Sequence, residues 1–109
     1  RVPDVRWNAA IALASLGDGS GVAVLRSMVD REALSRQARL TGDQVEAAMV
    51  NALKAFALLR DTGSLPLLEK VAREDPNLRV RDAARRAVEA TRGRAAARNL
   101  ERSASVLVV

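Results

Sequence analysis

Arginine and the carboxylates are the side chains with which this protein could do chemistry. Of its 109 residues, 18 are Lys or Arg and 13 are Asp or Glu, while histidine and cysteine are both absent. That removes imidazole bases, thiol nucleophiles, disulfides and the usual zinc ligands together. The acids Asp18, Asp30, Asp61 and Asp75 stand at the ends of expected helices, where capping and the helix dipole account for them. No carboxylates pair at i+3 or i+4 within an expected cleft, and Asp30 and Glu32 fall on different faces, so general acid and base catalysis has no candidate pair. No catalytic residue, metal site or cofactor is expected.

The cations are unevenly distributed. Residues 1 to 76 carry ten Arg or Lys and ten acids; residues 77 to 109 carry eight Arg and three acids, so the whole net charge of +5 lies in the final third. Arg79, Arg81, Arg85, Arg86 and Arg92, followed by Arg94 and Arg98, could hold phosphates of nucleic acid or an anionic membrane. Arg81, Arg85 and Arg92 recur at helical spacing. A solvated helix face is the plainer reading, because Arg favours helix, Asp82 and Glu89 stand at ion-pair spacing from Arg86, and no aromatic residue is interleaved for base stacking. An acidic protein partner is a third reading.

Helices must position these groups. Nearly half the residues are apolar, mostly Ala, Leu and Val, with one Trp, one Phe and three Pro, a composition that favours helix over strand and suffices for one core or a short array. Val5, Ala9, Ala12, Leu13 and Leu16 form one stripe of a helix expected over about Pro3 to Leu16, which Gly17 would end. Ser20 can cap a second helix carrying Val22, Leu25, Met28 and Val29. The polar residues 31 to 42 read as a connecting loop. Asp43 with Glu46 resembles a capping box that opens a third helix, whose stripe Val45, Met49, Ala52, Leu53 and Phe56 repeats the first. Ser64 can cap a fourth helix with Leu65, Leu68, Val71 and Ala72, stopped by Pro76. Asp75 or Asn77 starts a fifth with Val80, Ala84, Ala87, Val88 and Thr91, ending near Gly93, after which residues 94 to 109 should hold a degenerate last helix and a tail.

A helix pair recurring every 35 to 40 residues belongs with tandem-helix repeats. Val5-Arg6, Ala9-Ala10, Ala12-Leu13, Leu16-Gly17-Asp18, Val22, Val24-Leu25 and Met28-Val29-Asp30 resemble the bacterial HEAT-repeat pattern also seen in phycobilin lyase subunits. The second copy keeps Val45, Ala47-Ala48, Ala52-Leu53 and Leu65-Pro66-Leu67-Leu68; the third keeps Val80-Arg81, Ala83-Ala84 and Ala87-Val88 and then loses the pattern. The resemblance implies an all-α fold, a right-handed α-α superhelix of armadillo-like type with repeats at about 3–37, 43–75 and 77–93: two helical hairpins and a degenerate third. It also implies a non-catalytic scaffold that presents a curved surface to another protein. HEAT-like folds include a DNA glycosylase relying on an Asp with Trp residues, and a hydroxylase relying on His-Glu iron motifs. The absence of His excludes the second, and Trp7 and the arginines, expected at opposite ends, speak against the first. A bilin-lyase-like chaperone role has no residue of its own here.

On that architecture, the concave side suggests Arg26, Ser27, Asp30, Glu69, Lys70 and Arg73 as contacts for a protein partner. A second face of the first helix, Trp7, Ile11 and Ala14, is expected to point away from the core, whereas its counterparts Asp82, Arg86 and Glu89 in the third copy are polar, as in a terminal repeat. Trp7 and Ile11 therefore read either as contacts to preceding repeats of the same chain, these residues being the closing end of a longer array, or as an exposed anchor for a partner. Nucleic acid contacted by the arginines is the competing partner. No apolar run reaches the length of a bilayer span, and a cytoplasmic setting is expected.

Overall fold

The computed structural model describes the backbone of residues 2–36 and 40–108 and the side chains of 5–36 and 40–93. Six α-helices are present among them: α1 (Val2–Ser15), α2 (Val22–Met28), α3 (Arg31–Ser35), α4 (Gly42–Leu59), α5 (Leu65–Glu74) and α6 (Leu78–Val108), with short 3₁₀ turns at Gly19–Gly21 and Thr62–Ser64. The all-α expectation holds. Helix α4 is central and packs against α1, α2, α3 and α6, while α6 also lies along α5.

Local chemistry fixes the turns. Gly17 takes a left-handed φ of +77° at the end of α1, and the N–H groups of Gly17 and Asp18 donate to the carbonyls of Ala14 and Leu13 at 2.9 and 2.8 Å, the double bond of a Schellman ending. Arg60 does the corresponding work after α4 with φ +56°, its N–H donating to Phe56 at 2.8 Å. At α4 the capping box is formed by Thr41 and Gln44, not by Asp43 and Glu46; both pairs have the required spacing, and the hydroxyl two residues earlier takes the role. Asn77 accepts from the N–H of Val80 at 3.0 Å to open α6.

The stripes expected for the third and fifth helices are those observed in α4 and α6. Val45, Met49, Ala52, Leu53 and Phe56 are buried, as are Val80, Ala84, Ala87, Val88 and Thr91. Leu25, Met28, Val29, Leu68 and Val71 join them, with Val22, Leu65 and Ala72 packed at the margin.

Helix α1 departs from expectation. Val5 is 69% and Leu16 82% exposed, whereas Ala10 and Ala14 are buried and Trp7 and Ile11 pack half-buried against the core. The inward face is thus the one expected to point away. The reason is close approach: a Cβ on Gly21 would lie 2.8 Å from Cα and Cβ of Ala10, so the small residues Gly21 and Ala10 let the chain after α1 come nearer than any branched stripe would allow. Because α1 is apolar almost all round, periodicity did not determine which face would win.

Three further corrections concern boundaries. Residues 31 to 35, expected as loop, form α3, capped by Asp30, whose carboxylate accepts from the N–H of Ala33 at 3.1 Å. Ser64 does not cap α5; its hydroxyl is used elsewhere. Helix α6 does not stop at Gly93 but continues to Val108, a single glycine costing only about 1 kcal/mol in a flank rich in Ala and Arg. The side chains of Ala96, Leu100 and Leu107, expected to form a last stripe, lie outside the described residues, as does Val109.

Candidate functional site

The ends of the second and fourth predicted helices meet at a carboxylate hub. Arg31, the first residue of α3, donates from Nε and Nη2 to the two oxygens of Asp75 at 2.9 and 2.8 Å, a fork matched to a carboxylate. Asp75 is buried. It also accepts from the N–H of Asn77 at 3.0 Å, while its carbonyl accepts from Nη1 of Arg81 at 2.8 Å. Arg31 further approaches Glu46 of α4 at 3.6 Å. The hydrogen bond to Asp75 raises the pKa of Arg31 above its ordinary value, and the neighbouring charges add to it against the cost of burial.

A second clasp lies one helix away. Nε of Arg26 donates to the Ser64 hydroxyl at 3.0 Å, and Nη2 donates to Asp61 at 3.2 Å. The same hydroxyl donates to Asp61 at 2.6 Å. That hydrogen bond, helped by Arg26, holds the Asp61 carboxyl below the usual range although burial opposes it. At the matching turn of the first hairpin, Asp18 accepts from the backbone and hydroxyl of Ser20, which lowers its pKa likewise.

Between these two clasps runs an open cleft of about 540 Å³. Val29, Leu67, Val71 and Pro76 supply its apolar surface, and Arg26, Asp30, Lys70 and Glu74 stand on its rim. Its walls are α2 and α3 on one side and α5 on the other. Arg26 ties α2 to the turn before α5, and Arg31 ties α3 to the end of α5, so both sides of the cleft are held at separate points.

No family model matches the chain, and no curated protein or solved structure matches it either.

The structure places the expected contact residues as follows. Asp30, Lys70 and Arg26 line the cleft together, but Arg26 is committed to Asp61 and Ser64, and Asp30 to its cap. The Ser27 hydroxyl donates back to the Val24 carbonyl at 2.6 Å. Glu69 accepts from Arg92 of α6. Lys70 and Arg73 are exposed and have no ion pair among the described residues. Trp7 and Ile11 belong to the half-buried margin of the core.

The expected basic cluster does not converge on one place. Arg81 serves the Asp75 carbonyl; Arg85 and Arg86 both pair with Asp82, at 3.1 and 3.3 Å; Arg92 pairs with Glu69. Arg79 borders a separate hollow of about 260 Å³ with Asp43, Glu46 and Asn77. The side chains of Arg94 and Arg98 lie outside the described residues. Among the described residues no group of acids, cysteines or histidines could hold a metal ion, and no helix is long and apolar enough to cross a membrane.

Sequence reasoning missed Arg31, Leu67 and the joint role of Asp61, Ser64 and Asp75. Arg31 fell in an apparent loop, and the acids were already explained by capping. The one signal available was the recurrence of Asp followed by Ser at both turns, Asp18 with Ser20 and Asp61 with Ser64.

Proposed function

We propose that the chain is a short HEAT-like helical array that holds another protein in the cleft between α2, α3 and α5. The observation that carries this reading is the cleft itself: an apolar strip from Val29 to Pro76, open to solvent and rimmed by charges of both signs. Such a surface suits a peptide or helix that buries a few apolar side chains and orients itself by polar contacts at the edge. Equivalent ties between successive helical units support the array reading, since stacked repeats depend on their interfaces.

The test is selection of binders from a random peptide library against the intact chain, followed by affinity measurement with Leu67→Asp and Lys70→Glu. Leu67 lines the cleft half-buried at the margin of the core and Lys70 is exposed, so melting of the Leu67→Asp chain checks that it stays folded while Lys70→Glu leaves the core untouched. Binding is expected to weaken about tenfold or more, a loss of about 1.4 kcal/mol or greater. Binders indifferent to both substitutions would place the interaction surface elsewhere.

A further inference from the structure

A second groove, of about 380 Å³, lies between α5 and α6 with Ala72 and Val88 at its base. Its walls carry Arg73 from the last turn of α5, and Arg85 and Arg92 from α6, together with Glu69 and Glu89. Arg85 and Arg92 stand two turns apart, about 10 Å along the helix. This is a different set of arginines from the run legible in the sequence: Arg73 joins it from another helix, and Arg79, Arg81 and Arg86 do not line the groove.

The groove carries three arginines against the two carboxylates of Glu69 and Glu89, an excess of one positive charge. Glu69 is committed to Arg92, while among the described residues Arg73 has no ion pair and Arg85 pairs only with Asp82 outside the groove, at 3.1 Å. Asp82 is shared with Arg86 at 3.3 Å, so it stays paired if Arg85 turns away. The Arg85 pair is exposed, and such pairs hold weakly enough to be exchanged for a ligand. Two guanidinium forks are therefore available to a carboxylate beside a small apolar floor.

We propose that this groove docks an acidic segment of a partner protein, a carboxylate taking Arg73 and Arg85 while an apolar side chain rests on Ala72 and Val88. The arginine fork suits a carboxylate held bidentately. Nucleic acid fits less well: Glu69 and Glu89 stand where a phosphate backbone would run, and neither aromatic residue is at hand, since Phe56 is fully buried and Trp7 lies on α1. The groove shares no residue with the α2, α3 and α5 cleft, so failure here leaves that reading standing.

The experiment uses the whole chain and three fluorescent probes: a peptide with two Glu four residues apart and a Leu between them, its twin with Lys for Glu, and a short oligothymidine. Arg73→Gln with Arg85→Gln is compared with Arg6→Gln and Lys54→Gln, which remove the same charge from exposed positions that have no ion pair among the described residues. Far-UV circular dichroism and melting check that both variants fold. The acidic peptide should bind and the Lys twin should not, with affinity falling about tenfold or more in the groove variant and less than about twofold in the control. Equal losses in both variants would reduce the effect to net charge. Tighter binding of oligothymidine, or no binding of the acidic peptide to the unaltered chain at about 1 mM, would overturn the proposal.

Discussion

Replacing Asp75 with Ala tests whether the two hairpins stand or fall together. The Asp75 side chain is 5% exposed and that of Arg31 27%, so the pair is largely withdrawn from water on one side only. Removing one member of a fully buried pair costs about 3 to 5 kcal/mol, because the other charge is left behind. Here Arg31 can rehydrate and keeps Glu46 at 3.6 Å, which leaves roughly half of that, about 2 kcal/mol. The N–H of Asn77 also loses its acceptor, adding about 1 kcal/mol. The total of about 3 kcal/mol is a large share of the roughly 5 to 15 kcal/mol that holds a domain of this kind folded. Urea unfolding read by circular dichroism at 222 nm follows every helix, while fluorescence of Trp7 follows α1 alone. The loss should appear in both, and because Asp75 joins α3 to the junction of α5 and α6, the Trp7 transition should move ahead of the other. Coincident transitions with a loss below about 0.5 kcal/mol would show that Arg31 and Asp75 meet without coupling anything.

Other expectations follow from single contacts. Leu53→Ala, at a position with no exposure, should cost about 2 to 5 kcal/mol in chemical denaturation; a change under about half a unit would remove Leu53 from the core. Gly21→Ala should cost about 1 to 3 kcal/mol by forcing α1 away from the turn before α2, whereas Gly19→Ala, with open space around it, should change the melting temperature little. Asp61 has its folded pKa lowered, so it contributes stability that is present above its unfolded value of about 3.9 and is lost as pH falls through the lower folded value. Asp61→Asn should accordingly flatten the acid side of the stability curve below about pH 4, as followed by melting in a buffer series; an unchanged slope would show that the Ser64 and Arg26 contacts do not persist in solution.

The parts of this fold that were legible in the sequence are those where hydrophobic pattern and neighbours agree. Helix α4 is apolar on one stripe and exposes Ala47, Asn51 and Lys54 opposite, so only one orientation buries Val45 through Phe56. Helix α6 is the same, with Arg85, Arg86 and Glu89 outward. Helix α1 offers Val5, Ala9 and Leu16 on one side and Trp7, Ala10, Ile11 and Ala14 on the other, and the choice depends on Gly21, a residue outside the helix. Short α3 has no stripe of its own; it exists because Asp30 caps it and Leu34 is buried beneath it.

The site was less legible for a reason that the ties between units make plain. By their place after the turn, Arg26 in α2 and Glu69 in α5 correspond, each following Leu25 or Leu68 in the core. Arg26 reaches forward to Asp61 and Ser64, and Glu69 reaches forward to Arg92. The task is kept while the sign of the charge is reversed, so a comparison of residue types sees a difference where the geometry has a repetition. The same fact explains why Arg26 and Glu69 looked like contacts for a partner. A charged residue between two packed helical hairpins is as apt to hold the neighbouring hairpin as a foreign protein. Lys70 and Arg73, one and four positions beyond Glu69, find no such neighbour among the described residues of the following helix. They are the members of the original set that remain available, and they open onto two different grooves.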